Sequence, residues 1–243
     1  MSTTHQSFPS SFSAFATGVR KAWASVFALV LAGTYIGLGA LAHDFGFTAW
    51  WFALSTMIIW AAPAQVILLS ALGTGASLIE AAIAVTLSAI RLLPMMVSLL
   101  PMLRSPKTRL RDLLLPAHFT SVSMWVESLR LLPGIVPEQR IPFCNGLAVG
   151  YMSTATAFGF VGFYLAAGLP TLFAAGLLFL TPMSFLMSTA RNARALIDRA
   201  AFVLGLVVGP ILAWQHVNLD LMWTGVIGGI AAYGIHRLRG AAV

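Results

Sequence analysis

Residues 50–72 read WWFALSTMIIWAAPAQVILLSAL, and residues 78–100 read LIEAAIAVTLSAIRLLPMMVSLL. As a helix, each is long enough to cross the roughly 30 Å hydrocarbon core of a bilayer. The first carries Pro63 and Gln65 near its centre, and the second carries Arg91 near its middle. A proline, an amide and a guanidinium at mid-depth are costly in lipid. They are expected to face a protein interior or a polar cavity. The rest of the chain reads as a scaffold for that arrangement.

Composition supports the membrane reading. Of 243 residues, 59% are hydrophobic and 9% are charged, where a soluble domain carries about a quarter charged. So much apolar surface cannot be hidden by a water-soluble fold of this size. The net charge of +7 does not point to nucleic acid, because the basic residues fall between apolar segments. The positive-inside rule accounts for them there. Cys144 is the single cysteine, which excludes an intrachain disulfide and a multi-cysteine metal site.

Taken in order, residues 1–14 read as a loose polar terminus, and a first helix is expected over 22–42. Its Gly33, Gly37 and Gly39 offer either a packing face or the lining of a substrate path. Helices follow at 49–72, 78–100, 143–167, 171–189, 200–214 and 221–235. The fold expected is an all-α polytopic membrane protein with about seven spanning helices. Residues 112–135, with His118, Thr120 and Glu127, are ambiguous: a buried span or a re-entrant piece shielded by protein. The basic loop RSPKTRLRD at 104–112 is expected in the cytoplasm.

The whole chain, 1–243, reads as one transporter domain with an internal repeat, units 20–103 and 140–216. A linker at 104–139 joins them, and a terminal helix lies at 219–236. Pro63 and Pro182 would occupy equivalent broken helices, with the two three-helix units inverted relative to each other. Paired breaks of that kind point to a transport site near mid-membrane.

The candidate substrate-binding residues are Trp60, Pro63, Gln65, Arg91, Asn145, Thr181 and Ser184. Pro63 removes a backbone donor and frees the carbonyl of Ile59, giving either an unwound site or a simple kink. Gln65 can donate and accept, so it either ligates substrate or satisfies the break. Trp60 either shields an aliphatic side chain or simply packs. Arg91 needs a partner, which is a substrate carboxylate or Glu127. Asn145 opens a polar line on its helix, and Thr181 and Ser184 flank Pro182; such hydroxyls bind ligand or satisfy backbone carbonyls. Glu127 is the candidate for proton coupling. No HExxH, GxSxG or nucleotide-binding loop occurs, so no catalytic constellation and no cofactor is expected.

Several of these segments resemble the AzlC-type branched-chain amino acid permeases. Trp60-Ala61-Ala62-Pro63-Ala64-Gln65 is similar to the aromatic-Ala-Gly-Ala-Ser-Gln segment of that family, with Pro63 in place of a small residue. Arg91 matches a family arginine, although the polar residue two places earlier is Ala89 here. Thr120-Ser121-Val122 falls where members carry Thr-Asp-Glu, without the two acids. The run at 180–186 resembles the second broken helix of the family. The resemblance implies a secondary exporter of small apolar amino acids in the bacterial inner membrane. It also implies a small AzlD-like membrane subunit of about four helices, which small-residue helix faces would accommodate. A facilitated channel for another metabolite and a non-transporting assembly subunit are the alternatives.

Overall fold

The computed structural model describes residues 6–90, 92–105, 108–168, 196–215 and 220–240, with isolated positions between 176 and 190. Eleven helices run through the continuous stretches: α1 (Ser11–Trp23), α2 (Val26–Asp44), α3 (Ala49–Ile59), α4 (Ala62–Gly73), α5 (Leu78–Ala89), α6 (Leu92–Leu103), α7 (Leu114–His118), α8 (Val122–Leu131), α9 (Arg140–Gly168), α10 (Leu196–Trp214) and α11 (Asp220–Gly240). Local sequence sets several of the starts. The hydroxyls of Ser10, Ser25, Thr48, Ser77 and Ser121 each accept a backbone N–H in the first turn of α1, α2, α3, α5 and α8. The start of α4 on Ala61 has no capping side chain.

Two long elements form the spine. The α1–α2 pair and α9 run side by side in the same direction. The indole of Trp23 donates to the Gly150 carbonyl at 3.1 Å, Ser25 Oγ lies 3.1 Å from the Tyr151 hydroxyl, and His43 meets the Phe163 ring edge-on at 5.2 Å. The backbones approach so closely that a Cβ on Gly39 would strike the Gly159 carbonyl, and one on Gly162 the Ile36 carbonyl. Small residues permit this in membranes, where dispersion between tightly packed backbones drives helix association. Gly39 is therefore a packing residue, whereas a Cβ on Gly33 would meet open space.

The stretch at 49–73 is not one continuous helix but two short apolar ones. Trp60 is left-handed, at φ 40° and ψ 34°, and Ala61 is extended. The chain folds back there. Gln65 on α4 bonds to Ser55 and Thr56 on α3, and the Phe45 ring fills the space beside Gly73. With 11 and 12 residues, α3 and α4 are each about 16–18 Å long, half the hydrocarbon thickness. They form a re-entrant hairpin whose two ends share one side.

α5 and α6 then lead back across the molecule, bent by 45° where they meet. α6 ends beside α9, where the Arg140 guanidinium donates to the Met102 carbonyl at 3.0 Å. Residues 114–131 form a second re-entrant hairpin, entering from this opposite end. Leu115 on α7 shares a cavity with Asn145, and Ser128 on α8 reaches Cys144 at 3.5 Å. Both strokes therefore return to the start of α9. Its tip is deeper, with Thr120 Oγ1 3.4 Å from Met96 Sδ. α10 and α11 make an antiparallel hairpin in which Gly209 faces Thr224 and Gly228 faces Gly205.

These facts correct the expected fold. Among the described residues, three helices are long and apolar enough to cross a membrane, not about seven: Val26–Asp44, Pro137–Gly168 (α9 with its leading turn) and Leu196–Trp214. A fourth arises if α5 and α6 count as one bent span. The apolar length at 50–72 is real, but it is divided between two strokes of a hairpin. Inverted three-helix units are also overturned, because α2 and α9, the leading helices of the two units, are parallel. Near the start of α9, Arg140 reaches the Met102 carbonyl and Arg111 shares a cavity with Asn145, a basic concentration of the kind that the positive-inside rule places in the cytoplasm. The helix expected at 171–189 lies in the stretch described only at isolated positions.

The terminus expected to be loose is pinned from residue 6 onward. Gln6 exchanges backbone bonds with Gly134 and Val136, and Phe8 exchanges a pair with the Gln139 amide. Phe8 also stacks on Phe143.

Candidate functional site

The two hairpin tips meet. From one side comes the α3–α4 break at Trp60–Ala61, and from the other the α7–α8 break at Phe119–Ser121. The Trp60 indole donates to the Phe119 carbonyl at 2.6 Å, and the two rings pack edge-on at 5.8 Å. Trp60 is 3% exposed. His118 Nε2 donates to the Met57 carbonyl at 3.1 Å, satisfying an acceptor left over at the C-terminal end of α3. Among the described residues Trp60 is the one non-glycine residue with positive φ. For a bulky side chain this is an outlier worth about 1–3 kcal/mol of strain, of a kind that collects at functional sites.

Pro63 enters differently from the sequence expectation. It sits in the first turn of α4, where a helix has no intrahelical use for the missing N–H. It starts the second stroke; the break itself precedes it.

Gln65 lies just beyond the break and is fully buried. Ser55 Oγ and Thr56 Oγ1 both donate to the Phe52 carbonyl, at 2.8 and 2.9 Å. With their protons committed, these hydroxyls can only accept. That orients the Gln65 amide: Nε2 donates to Thr56 at 2.7 Å and Ser55 at 3.0 Å. Oε1 therefore points the other way, and it has no hydrogen-bond partner. A buried carbonyl oxygen without a donor costs about 1–3 kcal/mol. The nearby first turn of α4, uncapped by any side chain, is the positive end of a helix dipole. The arrangement thus offers an acceptor for an N–H donor next to a site that favours a negative group.

The remaining candidates are dispersed. Glu127 is 3% exposed and is held by Arg130, through Nε at 3.0 Å and a second bond from Nη2 to Oε1. Its partner is thus on its own helix. Asn145 stands apart from the break, on a cavity of about 500 Å³ that it shares with Arg111 and Glu138; its Oδ1 is buried without a partner. Arg91, Thr181 and Ser184 lie outside the described residues. Sequence reading missed Ser55, Thr56 and Phe119. Nothing in a helical period brings residues nine or ten apart into contact, so only the fold-back could have exposed the first two.

Long apolar helices, two half-length hairpins whose tips meet, and a buried amide oxygen without a partner beside a helix break fit a multi-pass membrane protein. The AzlC protein family matches residues 26–169, more than half the chain and all of both hairpins. The chain belongs to the AzlC family. It is therefore a branched-chain amino acid transporter subunit of the bacterial inner membrane, not an enzyme. No curated protein and no solved structure matches it.

Proposed function

We propose that the exported aliphatic amino acid is held at the α3–α4 break, with its ammonium donating to Gln65 Oε1. Its carboxylate faces the first turn of α4, where the Ala62 and Ala64 N–H groups have no side-chain cap. The observation that carries this is the buried, oriented and unpartnered Gln65 carbonyl oxygen. The rings of Trp60 and Phe119 supply apolar surface for the side chain. Arg91, Thr181 and Ser184 are further candidates on sequence grounds, Arg91 for the carboxylate. A proton-coupled cycle would use Glu127, because the Arg130 side chain that holds it is 65% exposed and can be released to water. The working exporter includes a small AzlD-like membrane subunit.

Efflux from proteoliposomes preloaded with valine, leucine, isoleucine or methionine tests this, against serine as polar control, with and without the small subunit. The aliphatic set should leave selectively. Gln65→Leu should raise the half-saturating concentration at least about tenfold, the loss expected for a hydrogen bond to a charged group, beyond the modest fall in melting temperature expected from losing its bonds to Ser55 and Thr56. Unchanged saturation in that variant overturns the assignment.

A further inference from the structure

The tips touch, but the hairpins come from opposite ends of the molecule. A solute sitting between the tips is therefore closed off from the outer side by α3–α4 and from the cytoplasmic side by α7–α8. Withdrawing one hairpin opens one side and leaves the other shut. The contacts that join the tips are few and specific: the Trp60 indole on the Phe119 carbonyl, and the His118 ring on the Met57 carbonyl. The first is bought with a left-handed tryptophan, a conformation that persists only while the surroundings hold it.

We infer that the α7–α8 tip is the second wall of the transport site, and that Trp60 is a positioning residue whose bond to Phe119 is made when the site is closed and broken when it opens. This rests on the site reading above. It assigns a part to Phe119 and to residues 114–131 that Gln65 does not require. Breaking the bond lets Trp60 leave the left-handed region and frees the Phe119 carbonyl beside the path. Each cycle must then separate the tips.

The test uses the reconstituted exporter with Cys144→Ser as background. Met57→Cys and His118→Cys are introduced together and joined by a short bis-methanethiosulfonate linker. Leucine efflux should stop on linking and return on reduction, while linker added to either single-cysteine protein has no effect. Full efflux from the linked protein overturns the inference. Trp60→Phe is the second arm, since it keeps a ring and removes the donor. Losing one buried hydrogen bond of about 1 kcal/mol should raise leak of leucine about fivefold. An unchanged leak overturns the role of Trp60. The two readings fail separately. Blocked efflux in the linked protein with normal saturation in Gln65→Leu removes the Gln65 site and leaves the moving tips. The converse result removes the moving tips alone.

Discussion

The amide nitrogen of Gln65 lies 2.7 Å from Thr56 Oγ1, nine residues back along the chain. In a continuous helix that separation would be about 13 Å. This one contact shows that residues 49–73 double back, and it also fixes which way the Gln65 carbonyl points.

Thr56→Val tests the second consequence. It removes the hydroxyl that accepts from Gln65 and leaves Ser55 in place at 3.0 Å. The amide is then held by a weaker set of bonds and can turn its oxygen away from the break. Stability should fall by about 1 kcal/mol, a loss readable as a shift in the thermal melt in detergent. Transport should suffer more than stability does, with a several-fold rise in half-saturating leucine. Equal saturation in the variant and the parent would show that Thr56 only packs.

Pro63→Ala separates two readings of the proline. A proline inside a helix costs about 3 kcal/mol and breaks it, so its removal would straighten the chain and abolish a site made by the break. In the structure Pro63 is in the first turn of α4, after a break already made at Trp60 and Ala61. Replacing it should therefore cost less than about 1 kcal/mol, the entropy a proline removes from the unfolded chain. Efflux should stay within about twofold of the parent. A collapse of efflux with intact folding would return the break to Pro63.

The spine makes a paired prediction. Gly39→Ala puts a Cβ into the Gly159 carbonyl, and neither backbone can yield without parting α2 from α9. Gly33→Ala, on the same helix, meets nothing within 4 Å. The first should lower the melting temperature by the amount expected of an overpacked core, about 1–3 kcal/mol. The second should be neutral or stabilising by up to about 1 kcal/mol, since alanine is the better helix former. Equal effects of the two would mean that the close approach contributes nothing.

The sequence carried the membrane class and the family, because these depend on composition and on local motifs. The break was legible in outline from a proline and an amide in an apolar run. Its geometry was not. Whether such a run crosses or folds back is decided by Trp60 adopting φ 40° and by what Gln65 and Phe45 touch, and none of these is written in a hydropathy period. The pairing of breaks was sought at Pro63 and Pro182 because both contain proline. Pro182 lies outside the described residues; among them Trp60 meets Phe119, at a second break that has no proline at its turn. Glu127 was legible as a polar residue in an ambiguous apolar segment, but its partner Arg130, three residues on in the same helix, was not among the partners considered. The parallel course of α2 and α9 rests on glycines whose purpose appears only when the facing backbone is known.

The re-entrant course of α3–α4 has a direct test in sidedness. Asp44 and Thr74 flank the hairpin, and both are exposed. If residues 49–73 crossed the bilayer, these two positions would lie on opposite faces. In the structure Phe45 packs beside Gly73, so they lie on the same face, opposite the basic cluster. Asp44→Cys and Thr74→Cys, each placed singly in the Cys144→Ser background, should both react with a membrane-impermeant maleimide added outside intact spheroplasts. Thr108→Cys, in the basic loop, should react only after the membrane is opened. The hairpin has consequences for every later element: it makes α5–α6 run toward the cytoplasm and α7–α8 dip from that side. Labelling of Asp44→Cys and Thr74→Cys from opposite faces would restore a crossing helix and reverse the direction of everything between residues 78 and 131.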